Sequence, residues 1–440
     1  MKKTVLFISL SLMISTAFAQ NEVEKMLNRF LSYVSIESQS IEESNQESFP
    51  LTESQKTMAR RVFNDIKSIG KGVEVYLDSD YYYVYVKVPA NHKKSVPSVC
   101  FMAHLDITFE IKGIGIKPQV HRNYNGEDIV LGNGLVLSPN SVEGMHLRDL
   151  VGKTIVTTDG STLLGADCKA GCGILVTLIE DLANDKKMKH GDVYFVFAQN
   201  EETGKAAVHM DMKYFDKKPD ILIDVDGDVY GTYSVQNFTA VNRIYYFDGN
   251  KVISSHGKEN RYADAYTAAA FFIGQLPPEI HPSYSEGRQG YVHCYKMEKI
   301  DSLDDMRLFF RIRYFDKSDG ERYLAYLDNA FQKTIEAFPF VQAKLEESFK
   351  QYDNVAYNMH PSAMEAVQRA AKRCGIEMKP VELRAGTTGA LMVAQGMPGG
   401  PCIYSGQNAV HSVYEWCCIE ELVALTKLCK EIVLEVNVIK

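Results

Sequence analysis

The stretch of sequence that decides the fold is VYFVFAQNEETG, residues 193–204. It begins with five apolar residues and leads into two adjacent carboxylates, Glu201 and Glu202. The apolar residues 99–102 lead in the same way into a His-Leu-Asp triplet at 104–106. Short apolar runs rich in valine and phenylalanine predict buried strands. Strand ends that present His, Asp and Glu together predict an α/β enzyme with a metal site at the carboxyl edge of its sheet.

Two patterns of strands and helices succeed each other along the chain. The first predicts strands at residues 73–77, 81–88, 96–102, 193–197 and 221–225, with a buried helix at 171–182. The second, from residue 241 to residue 349, has the order strand, helix, strand, strand, helix, strand. The chain then returns to a helix at 361–374, a glycine-rich loop at 384–389, a strand at 402–404 and a closing helix at 419–433.

These patterns predict two domains of different architecture. Residues 20–239 and 350–440 are expected to form an α/β catalytic domain with a mixed β-sheet flanked by helices. Residues 240–349 are expected to form an inserted βαββαβ, ferredoxin-like lid domain. A length of 440 residues is compatible with two hydrophobic cores.

The first nineteen residues have the order of a secretory signal. Lys2 and Lys3 come first, an apolar stretch covers residues 5–14, and small residues precede Gln20. This order is typical of a cleaved signal peptide, residues 1–19, so we expect a mature chain that is exported, either to a periplasm or as a secreted protein. A retained membrane anchor is the alternative, although the apolar stretch is short for one. No later segment is apolar over the length of a membrane span.

Composition narrows the classes of partner. The net charge is −8, and removal of Lys2 and Lys3 with no acidic residue takes it to −10. A phosphate-binding surface needs clustered Lys and Arg, so this negative net charge disfavours nucleic acid as a partner and favours short peptides or small solutes.

The nine cysteines are scattered and odd in number, unlike a disulfide framework. We expect most to be buried thiols, with metal ligation by Cys168 and Cys172 as the alternative.

Three segments carry side chains suited to a metal site. Asp106 lies two residues after His104 and can accept a hydrogen bond from its far ring nitrogen, which would fix the tautomer. Asp167 lies beside glycines, where its carboxylate could bridge two cations or cap the helix that begins there. In the pair Glu201-Glu202, one carboxylate can bind metal while the other, with its pKa raised by burial or neighbouring charge, handles a proton.

Three aspartates at alternate positions, Asp224, Asp226 and Asp228, could face the same way. Calcium is a rival ligand for such a segment. An EF-hand loop, however, has its glycine at the sixth position and a glutamate at the twelfth, whereas Gly227 is fourth here. The spacing therefore disfavours an EF-hand.

Seven motifs occur in an order that resembles the peptidase T (tripeptide aminopeptidase) branch of the di-zinc aminoacylase and carboxypeptidase family. They are AHLD at residues 103–106, TTDGSTLLGAD at 157–167, KAG at 169–171, EETG at 201–204, VDG at 225–227, RAGT at 384–387, and His411 with Glu415. Three positions depart from the branch. Asn200 and Thr388 replace aspartates, and Asp228 replaces a glycine.

The resemblance implies a site with two Zn²⁺ ions, for which Mn²⁺ or Co²⁺ could substitute. The implied metal ligands are His104 and Asp226 on one ion, Glu202 and His411 on the other, and Asp167 as the bridge. Glu201 would be the general base, and Asp106 would orient His104. Arg384 would hold a substrate carboxylate, and His256 would polarise the scissile carbonyl.

The expected function is that of an exported, zinc-dependent exopeptidase that cleaves the N-terminal bond of short peptides. Two alternatives stay open at this point: an N-acyl-amino-acid hydrolase or carboxypeptidase of the same family, and a non-catalytic homologue that binds peptides or solutes. The resemblance also implies a possible homodimer through the lid domain.

Overall fold

The structure is a computed structural model, and it describes residues 20–41, 48–250, 252, 254–300 and 305–438. The predicted signal peptide, residues 1–19, lies outside the described residues. Within the ranges given above, every helix is too short or too polar to cross a membrane.

The helices and strands are numbered in chain order. The helices are α1 (residues 20–34), α2 (Glu53–Ile69), α3 (Ala166–Asn184), α4 (Ala265–Gly274), α5 (Lys317–Ala337), α6 (Pro361–Cys374), α7 (Thr388–Ala394) and α8 (Ile419–Val436). The strands are β1 (Glu74–Leu77), β2 (Val84–Val88), β3 (Val99–His104), β4 (Gln119–His121), β5 (Ile129–Val130), β6 (Val136–Leu137), β7 (Ile155–Thr157), β8 (Val193–Ala198), β9 (Ile221–Gly227), β10 (Thr232–Asn237), β11 (Thr239–Phe247), β12 (Tyr291–Lys299), β13 (Met306–Tyr314), β14 (Ala343–Tyr352), β15 (Lys379–Leu383), β16 (Cys402–Tyr404), β17 (Gln407–Asn408) and β18 (Trp416–Cys418).

The chain divides into two compact units. The first contains the described residues up to Val235, the segment Asn358–Val381, and the described residues from Thr387 onwards. The second contains Gln236–Tyr357 and the short segment Glu382–Gly386.

The first unit is built on an eight-stranded sheet with the order β1-β2-β8-β3-β9-β16-β10-β15. The sheet is mixed, as predicted: β3 runs parallel to β8 and β9, whereas β2 runs antiparallel to β8. All residues of β3 and β8 are buried, and Phe101 and Phe195 stack with ring centroids 5.7 Å apart. Strands covered on both faces need apolar residues at every position, which explains the continuous apolar runs. Because β8, β3 and β9 are parallel neighbours, the residues at their carboxyl ends come together.

A smaller antiparallel sheet in the first unit has the order β17-β18-β7-β4. Its strands are two or three residues long, too short to produce a period in the sequence. The loop between β17 and β18 carries His411, which has a φ of 54°. The small sheet therefore supplies the only predicted metal ligand that is not on or next to the main sheet or α3.

The second unit has the predicted βαββαβ order in β11, α4, β12, β13, α5 and β14. Its four strands form an antiparallel sheet with the order β12-β13-β11-β14, which is the ferredoxin-like arrangement. Its buried core includes Tyr245, Phe272, Phe310 and Leu327 from the sheet and both helices. The predicted fold class is thus confirmed in both units.

Two local predictions were wrong. The strand predicted at 81–88 begins only at Val84, because Tyr82 has a left-handed φ of 57° and the backbone N–H of Tyr81 donates to Asp78 (2.6 Å) in a turn. The loop predicted at 384–389 becomes helix α7 from Thr388, where the side chain of Thr387 accepts the backbone N–H of Ala390 (3.1 Å). A turn closed by the Asp78 side chain decided the first case, and helix capping by Thr387 decided the second.

Candidate active site

Two groups of side chains that could each hold a metal ion lie together in the first unit. We call His104 and Asp226 with Asp167 the inner group, and Glu202 and His411 with Asp167 the outer group. Within each group the candidate ligand atoms lie within 4.8 Å of one another. The structure therefore brings together all five residues that the resemblance implied as ligands.

The inner group is formed by strand ends and the start of α3. His104 is the last residue of β3 and is only 1% exposed. Its Nε2 atom lies 2.8 Å from Asp167 Oδ1 and 3.4 Å from Asp226 Oδ1. Gln407, which sequence reasoning missed, donates from Nε2 to Asp226 Oδ1 (3.3 Å).

The outer group combines the turn after β8 with the loop between β17 and β18. The Nε2 atom of His411 lies 2.9 Å from Glu202 Oε2 and 3.4 Å from Asp167 Oδ2. Its Nδ1 atom lies 3.1 Å from Glu110 Oε2, a contact that no spacing in the sequence indicated. A carboxylate on the far ring nitrogen is the usual partner of a metal-binding histidine, because it fixes the tautomer.

Asp167 belongs to both groups, with one carboxylate oxygen toward each histidine. It does not cap α3, since Gly165 occupies the N-cap position with a φ of 78°. The peptide bond between Asp167 and Cys168 is cis, and both residues depart from helical backbone angles. The Glu415 carboxylate, 1% exposed, accepts the backbone N–H groups of this turn.

Asp106 contacts both His104 and the turn that carries Glu201 and Glu202. The Nδ1 atom of His104 lies 3.0 Å from the backbone carbonyl oxygen of Asp106 and 3.5 Å from its carboxylate. The carboxylate also accepts the backbone N–H groups of Glu201 (3.1 Å) and Glu202 (3.2 Å). Backbone and side chain of residue 106 thus both face the imidazole, and the side chain also holds the glutamate turn in place.

Burial and crowding of charge change the acidity of these groups. Burial, together with the charges of Asp226 and Glu202, raises the pKa of Glu201 well above its ordinary value. Burial and the charge of Asp167 raise the pKa of Glu202 to about 8. Burial would also raise the pKa of Asp167, but hydrogen bonds from both histidines hold it below its usual range. Hydrogen bonds to Asp167 and Glu202 raise the pKa of His411 to about 11.

The residues fit divalent cations. Two imidazoles and three carboxylates form a donor set that suits zinc, manganese or cobalt. Glu202 Oε1 is buried and has no hydrogen-bond partner among the described residues, so this oxygen of the outer group is available to a cation. Burial is the largest cause of the raised pKa values of Glu202 and Asp226, and the charge of Asp167 adds to it.

The two cysteines near the site hydrogen-bond to the backbone. The Cys168 thiol also lies within 4.8 Å of the ligand atoms of the inner group, as metal ligation by Cys168 would require, whereas Cys172 belongs to neither group. The Cys168 thiol donates to the Val225 carbonyl (3.0 Å), and the Cys172 thiol donates to the His104 carbonyl (3.2 Å). All nine cysteines are free, and seven of them are buried.

Asn200, one of the departures, is a buried structural amide. Its Oδ1 atom accepts from Gln55 Nε2 (2.7 Å), and its Nδ2 atom donates to the Pro50 carbonyl (3.0 Å). An ionised aspartate could not make the second bond, because it has no donor. Thr388 is also buried, whereas Asp228 is exposed.

The two predicted substrate-binding residues lie in the second unit. The Arg384 guanidinium donates to the carbonyls of Gly287 (2.6 Å) and Gln289 (2.8 Å) and to Ser285 Oγ (2.6 Å). His256 ends a short 3₁₀ turn, Ser254–His256, and is exposed. Their predicted roles stay predictions.

The chain is similar to known proteins over most of its length. The model of peptidase family M20/M25/M40 matches residues 158–435. The chain is 32% identical to Peptidase T of Listeria monocytogenes serotype 4b over 93% of its own length and 98% of the relative's. It is 33% identical to Peptidase T of Caldanaerobacter subterraneus, over 91% of this chain and 96% of the relative.

Solved structures share the fold. Aminopeptidase PepT from Bacillus cereus superimposes with a TM-score of 0.71 at 20% identity, over 94% of this chain and 99% of the other. A dinuclear metal-binding peptidase of the M20 family from Bacillus subtilis gives a TM-score of 0.64 at 13% identity, over 96% and 99% of the two chains.

Proposed function

The chain belongs to peptidase family M20/M25/M40 and is a metallopeptidase, and on this basis we propose that it is a di-zinc exopeptidase that cleaves the N-terminal bond of short peptides, tripeptides among them. The observation that carries the proposal is the Asp167 carboxylate, which faces His104 with one oxygen and His411 with the other. A carboxylate shared in this way is suited to bridge two cations. The relatives named Peptidase T, together with the solved structure named aminopeptidase PepT that shares the fold, support aminopeptidase activity.

The residues of the site divide the chemical work between them. Two divalent ions, when bound, lower the pKa of water and polarise a peptide carbonyl. Glu201 accepts a proton from the attacking water and passes it to the amine that leaves. Glu201 lies next to the ligand Glu202, in the turn whose backbone N–H groups donate to Asp106, and a carboxylate placed beside the reacting water can accept a proton and then donate it. The Asp106 carboxylate keeps Glu201 in place by accepting the backbone N–H of Glu201.

Substitution of Glu201 tests this assignment. Glu201→Gln keeps the shape of the side chain but cannot accept a proton, so kcat is expected to fall by a factor of about 100 or more while both metal ions stay bound. Elemental analysis of the purified variant, beside a peptidase assay, separates the two effects. Full activity in Glu201→Gln would refute the general-base role.

Recognition of a free N-terminus requires a negative charge that can face an α-ammonium group. Both polar ends of the Asn200 amide are used inside the protein, and Thr388 is buried, so neither supplies a negative charge for an α-ammonium group. The exposed carboxylate of Asp228 is the group we propose for that role. Arg384 and His256 keep the roles implied for the substrate carboxylate and the scissile carbonyl.

A panel of four compounds decides between an aminopeptidase and its relatives in the family. It consists of a tripeptide, its N-acetylated form, its C-terminal amide and an N-acetyl amino acid, each incubated with the zinc-loaded protein. We expect rapid cleavage of the free tripeptide and slow cleavage of both acetylated compounds. Preference for an acetylated compound would instead identify an N-acyl-amino-acid hydrolase, and inertness toward all four would favour a binding protein.

Export is a further part of the proposal. The order of charged, apolar and small residues in 1–19 supports export to a periplasm or beyond the cell. Fractionation of the native host tests this point, and recovery of the uncleaved chain from cytoplasm would refute export.

Dimerisation is also part of the proposal. An edge strand, β12, with exposed Tyr295 and Met297 supports pairing of two copies through the second unit. Sedimentation analysis of the purified protein tests this point.

A further inference from the structure

Glu415 is a buried carboxylate whose contacts connect two segments of the candidate site. Its Oε2 atom accepts the backbone N–H groups of Leu164 (2.7 Å) and Gly165 (2.7 Å), and its Oε1 atom accepts that of Asp167 (3.0 Å). The side chain is 1% exposed, so water does not compete for these bonds. One carboxylate thus satisfies three backbone donors of the turn that presents Asp167.

The turn depends on an external acceptor because of its conformation. Gly165 has a left-handed φ of 78°, and Asp167 and Cys168 lack helical backbone angles, so the first residues of α3 do not follow regular helix geometry. Donors at the start of a helix have no partner within it and must be satisfied from outside. The turn carries no side-chain cap of its own at Gly165.

Glu415 also belongs to the segment that presents His411. It lies four residues after His411, and its backbone N–H donates to the Ser412 carbonyl (3.4 Å) within the same loop. Strand β18 begins at the next residue, Trp416, and pairs with β7. Glu415, at the start of β18, therefore connects the turn that presents Asp167 to the loop that presents His411.

We propose that Glu415 is a positioning residue that fixes the Asp167 carboxylate between the two metal ions and keeps it in register with His411. The inference rests on the proposed di-metal function. The inference goes beyond that function, because it makes the affinity for both ions depend on Glu415, a side chain outside the proposed set of ligands. Removal of the partner of a metal ligand typically weakens metal binding by about 10- to 100-fold.

Glu421 offers a matched control on the same stretch of chain. It is also a buried carboxylate, 8% exposed, but it contacts His146 (2.6 Å) and the Tyr404 hydroxyl (3.1 Å) and none of the candidate ligands. Glu421→Gln therefore disturbs a buried carboxylate network without touching the Asp167 turn. A role of Glu415 in folding alone would make the two variants behave alike.

The test measures zinc affinity of the full-length chain by competition with a chromophoric chelator, together with the Tm of each metal-free protein. Glu415→Gln is expected to bind both ions at least about tenfold more weakly than wild type. The glutamine NH₂ group would face backbone N–H groups that need an acceptor, so the turn would lose at least one hydrogen bond. Glu421→Gln is expected to lower the metal-free Tm while its zinc affinity stays within about twofold of wild type. Glu415→Asp, which keeps the charge but is shorter, provides an intermediate case if Glu415→Gln does not fold.

Two results would overturn the inference: wild-type zinc affinity in the folded Glu415 variant, or an equal loss of affinity in Glu421→Gln. Failure of the proposed di-metal function would give a different result: the wild-type protein itself would bind fewer than two zinc ions.

Discussion

The inner and outer groups have similar ligands but differ in what supports them. His104 ends a central strand, is buried, and has its ring oriented by a backbone carbonyl 3.0 Å away. His411 lies in a loop with a left-handed backbone, its side chain is 36% exposed, and its ring contacts Glu110, which is itself 60% exposed. Sheet hydrogen bonds restrain His104, whereas His411 lies in a loop and its ring is restrained by an exposed side-chain contact.

This difference predicts an order of metal binding. Exposed charge interactions are screened by salt and add little energy, and loops open more readily than central strands. The outer ion is therefore expected to leave first when chelator is added, while the inner ion remains on a preorganised site. The inner group therefore ranks above the outer group in metal affinity.

Loss of one ligand from each group should have the largest effect. Asp226→Ala is expected to leave less than about one zinc ion per chain, because His104 and Asp167 alone make a weak site. His411→Ala is expected to retain about one ion in the inner group, and both variants should be inactive. Elemental analysis after gel filtration gives the metal content. Equal metal content in the two variants would contradict the ranking.

The same contrast explains how much of the molecule could be predicted from its sequence. The inner group follows from local pattern, since central strands buried on both faces leave long apolar runs and their polar end residues stand out. His104, Asp226 and the glutamate pair were found in this way. The fold class followed from the same runs.

The loop that carries His411 in the outer group leaves no such pattern. The strands around His411 have two or three residues each, so no period marks them. His411 was assigned only through the resemblance, and Glu110 was missed because an isolated exposed glutamate has no distinguishing context. The contact of the Asp106 carboxylate with the glutamate turn depends on which strands become neighbours, which spacing alone does not specify.

Asp106→Asn sharpens the comparison, with an expected loss of about 10- to 100-fold in kcat. The asparagine keeps the backbone carbonyl that orients His104, but its amide group faces the N–H of Glu201 or Glu202. Catalysis should therefore fall more than zinc affinity. Measurements of kcat and of zinc affinity on the same preparation separate the two roles. If zinc affinity fell in parallel with kcat, the carboxylate would be the orienting group after all.

The pH dependence of stability should report the protons held by the outer group. Hydrogen bonds to Asp167 and Glu202 raise the pKa of His411 from 6.5 to about 11. The metal-free native state therefore binds a proton that the unfolded chain has lost above pH 6.5. This stabilisation is fully present below pH 6.5 and is lost as the pH rises through 11. The raised pKa of Glu202, about 8, acts in the same direction.

We therefore expect the Tm of the metal-free protein to fall between pH 6.5 and pH 9. Zinc displaces the same proton, so the gain in Tm on adding zinc should increase over this range. Thermal unfolding with and without zinc measures both trends. His411→Gln should make the slope of the metal-free protein less steep, because it removes one of the groups that hold a proton over this range. A flat wild-type profile would show that the outer group holds no such proton.

The smallest expected effect is that of Glu110→Gln. The contact between Glu110 Oε2 and His411 Nδ1 is 3.1 Å long but exposed, and exposed charged contacts contribute about 0.2–1 kcal/mol. Affinity for the outer ion should therefore weaken by about fivefold at most, with no change in the inner ion. The effect should shrink at high salt, because screening already weakens the contact in wild type. Chelator competition at low and high ionic strength measures it. A larger, salt-independent loss would show that Glu110 supports His411 as firmly as the sheet supports His104, and the ranking of the two groups would then lose its physical basis.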